Sequence, residues 1–87
     1  MAAANATTYG LAAGVLTEDV RRGLDVARRL HTGIVHVNDQ CVDDEPQAPF
    51  GGVGDSGYGR FGGRAGVEAF TDLRWVTLQQ GHHPFPI

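Results

Sequence analysis

Two short apolar runs, Leu11–Ala12–Ala13–Gly14–Val15–Leu16 and Ile34–Val35–His36–Val37, flank a single amphipathic stretch. This arrangement constrains the chain more than any other feature. Short apolar runs bounded by turn formers read as strands. The second run is β-branched and almost continuously apolar, as in a strand covered on both faces. Between them, Thr17 predicts an N-cap, and Glu18 and Asp19 an acidic first turn that suits the helix dipole. Val20, Leu24, Ala27 and Leu30 then recur at helical spacing. Glu18 with Arg22, and Asp25 with Arg29, stand four apart in the order that pairs favourably. Arg28, Arg29 and His31 load the last turn with basic groups, and Gly33 supplies the stop. The spacing predicts a helix over 18–31 inside a β-α-β unit with parallel strands and a right-handed crossover. A parallel pair needs a wider sheet covered on both sides, and the remaining sequence does not provide one.

Size sharpens the point. At 87 residues the chain buries only about 60–65% of the surface that its unfolded form exposes, and small domains usually compensate with disulfides or a metal. Cys41 is the single cysteine, so no internal disulfide forms. The histidines His31, His36, His82 and His83 lack the paired cysteines of a zinc site. The chain is therefore expected to be marginal, oligomeric or part of something larger. A net charge of −3 offers nothing to a phosphate backbone, so no nucleic-acid partner is expected. The opening MAAANATTYGLAAGVL has no basic leader and is interrupted by Asn5, Thr7, Thr8 and Tyr9, which argues against a signal peptide or a membrane span. A lone thiol without a secretion signal suits a cytoplasmic protein.

After Asn38 the regularity stops. Residues 38–63 read as one long loop with acids (Asp39, Asp43, Asp44, Glu45), two prolines (Pro46, Pro49) and a glycine run; such loops are functional or packed against other parts. G-x-G-x-x-G occurs twice in it, from Gly52 and again from Gly57. A dinucleotide fingerprint requires a strand before it, a helix opening within it and an acid about twenty residues on. Ala48–Pro49–Phe50 makes a poor strand, and Asp72 falls at the end of an expected helix. The glycines are better explained by positive φ and close backbone approach. Cys41 has no helix N-terminus or basic neighbour beside it, so lining or packing is expected of it rather than nucleophilic attack. Asp43, Asp44 and Glu45 lack regular cation-ligand spacing and read as a solvated rim. His36 reads as a satisfied core or interface histidine, and His82 and His83 as exposed. Phe50, held between Pro49 and Gly51, reads as a pocket wall or a core filler. A short helix is predicted over 64–71, then an exposed edge strand over Arg74–Gln79 and an irregular tail.

Four strings in order carry a resemblance to the aldehyde dehydrogenase family. Ala4–Asn5 with Thr8–Tyr9–Gly10–Leu11–Ala12–Ala13 resembles its A-N-x-x-x-Y-G-L-A-A stretch. Gly33–Ile34–Val35–His36–Val37–Asn38 resembles its G-x-V-x-V-N strand. Pro49–Phe50–Gly51–Gly52 with Ser56–Gly57–Tyr58–Gly59–Arg60 resembles P-F-G-G-x-K-x-S-G-x-G-R, with Gly54 where many members carry lysine. Gly66–Val67–Glu68–Ala69–Phe70–Thr71, followed by Trp75–Val76, resembles its closing segment. The acidic loop and the run GDSGYGRFGG are most similar to the branch acting on benzaldehyde, salicylaldehyde and vanillin.

The resemblance implies an α/β fold: a β-α-β piece of the catalytic domain over 1–73, a strand of the oligomerisation sheet over 74–80 and a tail over 81–87. It implies oxidation of an aldehyde to the acid with NAD or NADP, by a cysteine nucleophile and a glutamate base that lie in motifs this sequence does not contain. Cys41 and Glu68 lie in the wrong motifs for those roles, so no catalytic or cofactor-binding residue is expected here, and the isolated chain is expected to be inactive. Asn38, Cys41, Val42 and Phe50 are implied in the wall of the aldehyde tunnel. Trp75, Val76, Thr77 and Leu78 are implied in homo-oligomer contact. Two other readings stay open: a free-standing nucleotide-binding glycine-loop module, and a non-catalytic self-associating fragment.

Overall fold

The computed structural model of the chain describes residues 1–82 and 84. In order it forms β1 (Tyr9–Gly10), β2 (Ala12–Val15), α1 (Val20–Ala27), β3 (Ile34–Val37), β4 (Val53–Gly54) and α2 (Gly63–Ala69). The two apolar runs pair as expected: β2 and β3 are parallel, with Ala12 opposite Ile34 and Val15 opposite Val37. Strand alternation then puts Ala12, Gly14, Ile34 and His36 on one face, and Ala13, Val15, Val35 and Val37 on the other. α1 covers the second face, with Gly23 buried beside Val37.

The helix is shorter than its periodicity predicts, at both ends and for separate reasons. Asp19, not Thr17, is the N-cap: its backbone is extended, and its Oδ1 accepts from the Arg22 amide at 3.2 Å. A cap must reach an amide three residues on, and Thr17 spends its hydroxyl on Asp19 instead, accepting from that amide at 3.1 Å. Glu18 therefore lies outside the helix, and the expected Glu18–Arg22 pair does not form. At the other end the Arg29 and Leu30 amides bond three residues back, to Val26 and Ala27, which tightens and ends the helix. Asn5 then takes over the loose ends. Its Nδ2 donates to the Arg29 carbonyl at 2.8 Å, and its Oδ1 accepts from the His31 amide at 3.0 Å. Asp25 pairs with Arg28 at 3.4 Å rather than with Arg29, whose Nε donates to the Asp25 carbonyl at 3.1 Å.

The stretch read as one long loop has structure of its own. β4 pairs antiparallel with β1, and Phe50 and Phe61 form a bridge by two reciprocal backbone bonds of 2.7 Å. Pairings this short, one of them between segments more than forty residues apart, carry no alternating apolar signature in the sequence. α2 follows near its predicted position, with Arg64 and Glu68 paired at 2.6 Å across one turn.

The strand predicted over Arg74–Gln79 does not form: these residues carry no secondary structure. A strand exists through its partner, and none is in reach among the described residues. The side chains stand in solvent, Trp75 91% and Leu78 88% exposed. His82 is exposed as predicted, whereas His83 and residues 85–87 of the tail lie outside the described residues. His36 departs from the expectation of a satisfied histidine, since its Nε2 is buried with no hydrogen-bond partner among the described residues.

No hydrophobic residue among those described reaches full burial. The chain exposes 7704 Å², against roughly 5,000 Å² for a folded monomer of its 9.3 kDa. Its radius of gyration is 20.3 Å, against about 12 Å for a compact domain of this length.

Candidate functional site

The site begins where β3 ends. Asn38 has φ 59°, the one positive value outside glycine among the described residues. Asparagine tolerates this left-handed backbone better than most residues. Its amide donates to the Val15 carbonyl at 2.8 Å, and its Oδ1 accepts from the Thr17 amide, also at 2.8 Å. The residue thus laces the ends of β2 and β3 together while reversing the chain direction. The Asp39 carboxylate extends the turn by accepting from the Gln40 amide at 2.8 Å.

The reversal sends the next residues across the face opposite α1. Cys41 arrives with its sulfur against Gly14, where a methyl group would collide with it. Beyond it Val42, Asp43 and Asp44, together with Phe50, Leu11, Ala12 and Ile34, line an open cavity of about 450 Å³. Cys41 and Asn38 also line a neighbouring cavity of about 470 Å³ with Gly14 and Leu16. The structure therefore brings together Cys41, Val42 and Phe50, and places Asn38 next door with Cys41 as the shared wall. Trp75, Val76, Thr77 and Leu78 line none of these cavities and stay exposed.

Phe50 is fixed by its surroundings. The Phe61 bridge holds its backbone. The following Gly51 carbonyl lies against Gly33 so closely that any side chain on Gly33 would strike it. Arg60 completes the brace, its Nη1 donating to the carbonyls of Gly52 and Gly59, each at 2.8 Å. Ser56 pins the glycine segment to β1 by accepting from the Gly10 amide at 2.9 Å. Sequence reasoning missed the bracing roles of Arg60, Ser56 and Asn5. Ser56 and Asn5 act across 46 and 24–26 residues, Arg60 only within its own loop, and only the S-G-x-G-R string hinted at Ser56 and Arg60.

The wall around Phe50 is apolar, and its charges are confined to Asp43 and Asp44. The volume lies within the roughly 300–1,000 Å³ typical of small-molecule sites. Such a wall can hold an aromatic or aliphatic body, but it holds no paired nucleophile and base. Among the described residues no cluster of three or more His, Cys, Asp or Glu side chains could hold a metal, and no helix is long and apolar enough to cross a membrane.

Comparison with known proteins adds an independent observation. The sequence model of the aldehyde dehydrogenase family matches residues 1–76. A vanillin dehydrogenase of Pseudomonas fluorescens is 52% identical over 84 residues, which is 97% of this chain and 17% of that protein. A benzaldehyde dehydrogenase [NAD(+)] of Pseudomonas putida is 49% identical over 94% of this chain and 18% of its own length. The solved structure of a salicylaldehyde dehydrogenase from Pseudomonas putida G7, complexed with salicylaldehyde, superposes with a TM-score of 0.88 at 43% identity, over 97% of this chain and 17% of that one. The chain thus spans under a fifth of the length of these relatives.

Proposed function

The chain belongs to the aldehyde dehydrogenase family, and from that premise we propose that it is the C-terminal part of an NAD(P)-dependent oxidoreductase that converts an aromatic aldehyde to its carboxylic acid. The observation that carries this reading is the near end-to-end match to vanillin and benzaldehyde dehydrogenases. The apolar cavity beside Phe50 agrees with it. In this reading Cys41, Val42 and Phe50 wall the tunnel against the aldehyde's ring, and Asn38 fixes the turn from which that wall hangs. The ring loses water against Leu11, Ile34, Val42 and Phe50, while Asp43 and Asp44 stay at the polar rim. The part of this chain in catalysis is thus to bind and orient.

In the family the nicotinamide cofactor accepts the hydride. The residues here do not fit a seat for it. The buried Gly52 has its carbonyl held by Arg60, Ser56 is spent on the Gly10 amide, and no helix opens until Gly63. The wall therefore serves an aldehyde presented to chemistry that other parts of the enzyme perform. Residues 74–80 contribute a strand to another subunit, with Trp75, Val76, Thr77 and Leu78 as the contact residues.

One pair of measurements tests this. The purified 87-residue chain is expected to leave NAD unreduced in the presence of vanillin or benzaldehyde. A chimera in which it replaces the matching residues of the P. fluorescens vanillin dehydrogenase is expected to turn over. In that chimera Phe50→Ala removes part of an apolar wall worth about 1.5 kcal/mol, so KM should rise about tenfold. Turnover by the isolated chain, or an inactive but folded chimera, would refute the reading.

A further inference from the structure

The cavity beside Phe50 combines an apolar wall with charge of one sign. Leu11, Ile34, Val42 and Phe50 give it hydrocarbon, and Asp43 and Asp44 add two carboxylates. No arginine or histidine is among its lining residues. The other acids of this loop are already engaged: Asp39 accepts from the Gln40 amide at 2.8 Å, and Glu45 from the Gln47 Nε2 at 3.0 Å. Asp43 and Asp44 differ. Asp43 is half-buried and Asp44 exposed, and neither side chain joins the ion pairs among the described residues, which are Asp25 with Arg28 and Arg64 with Glu68. Arg60, the one basic side chain of the loop, is committed to the carbonyls of Gly52 and Gly59.

A carboxylate beside hydrocarbon has a longer reach than one surrounded by water, because the wall does not screen it. A cleft bearing charge of one sign repels solutes of the same sign. We propose that Asp43 and Asp44 set the charge selection of this site, turning away aldehydes that carry a carboxylate or a phosphate and admitting neutral and cationic ones. The proposal rests on the reading of this cavity as part of the aldehyde tunnel, and it narrows the substrate class beyond the aromatic ring. An apolar wall accepts any flat ring, so fit alone does not separate a neutral aldehyde from a charged one. A repulsive element does. Any charged substituent also loses hydration against Leu11, Ile34 and Phe50. That cost falls on either sign of charge, and only the two carboxylates tell the signs apart.

The test uses the chimera with the P. fluorescens vanillin dehydrogenase and measures kcat/KM for benzaldehyde, 4-carboxybenzaldehyde and 4-(trimethylammonio)benzaldehyde. Each variant is judged by the ratio of a charged probe to benzaldehyde, which cancels any general loss of activity. Removing a like charge about 6 Å away in partly screened surroundings is worth roughly tenfold in that ratio. Asp43→Asn is therefore expected to raise the carboxylate ratio about tenfold and to lower the cation ratio. Asp44→Asn should act in the same direction but less, because its exposed charge is better screened, and both effects should shrink as salt is raised. Glu45→Gln makes the same change of net charge at a side chain that does not line the cavity, and should move either ratio less than about twofold. Three results would overturn the proposal: ratios unchanged in both aspartate variants, an equal change with Glu45→Gln, or a shift of both charged probes in one direction. A chimera that oxidises benzaldehyde without this selection sinks only the charge selection. A folded chimera that oxidises none of the probes sinks the family function.

Discussion

Asn38 joins two jobs that are usually separate. Its left-handed backbone starts the wall of the candidate site, and its side chain ties that turn to Thr17. Alanine would lose the bond, worth about 1 kcal/mol, and would carry a further ~1 kcal/mol of left-handed strain. Glycine would lose only the bond, and aspartate would keep both features. Amide exchange at Thr17 in the chimeric enzyme reads the difference. Asn38→Asp should stay near the parent rate, Asn38→Gly should exchange about fivefold faster, and Asn38→Ala faster again. Equal rates for alanine and aspartate would show that the side chain does not hold the turn. The sequence marks Asn38 as the end of a strand, and its place in a family motif marks it as part of a site. It does not say that Cys41 will settle on Gly14, because a contact across the sheet leaves no trace in either residue's neighbours along the chain.

At the scale of elements, hydrophobic spacing located β2, α1 and β3 to within a few residues, because each has an apolar side to hide; α2 lies near its expected span but buries none of its residues. Capping proved less legible. Thr17 and Asp19 are both good N-caps, and the choice depends on which one reaches the amide three residues ahead. Asp19→Ala is expected to cost about 1 kcal/mol of helix stability and to lower far-UV helicity. Thr17→Ala should cost less, since its hydroxyl braces the turn rather than an orphan helical amide. The reverse order would restore the sequence-based cap. β1, β4 and the Phe50–Phe61 bridge were invisible for a different reason. Two-residue pairings are decided by what lies opposite, and glycine segments show no alternation to read. The segment 74–80 has the composition of a strand, but only a partner can make it one.

For the whole molecule, the shortage of partners inferred from one β-α-β unit reappears as exposed area. Among the described residues no hydrophobic side chain is fully buried, residues 71–80 carry no secondary structure, and the buried His36 Nε2 has no partner, the last costing about 1–3 kcal/mol if left so. Such a chain lacks the cooperative core that gives small domains a sharp transition. The isolated 87 residues are expected to melt broadly and to bind a hydrophobic dye such as ANS; a sharp, dye-silent transition would contradict this. One part is better secured. The glycine segment is cinched at its base by the reciprocal Phe50–Phe61 bonds and gripped partway along by β1 through β4, while its far end, with Tyr58 100% exposed, touches little. A nick beside Tyr58, or an extra residue inserted there, would be absorbed locally, leaving the ring of Phe50 at its station.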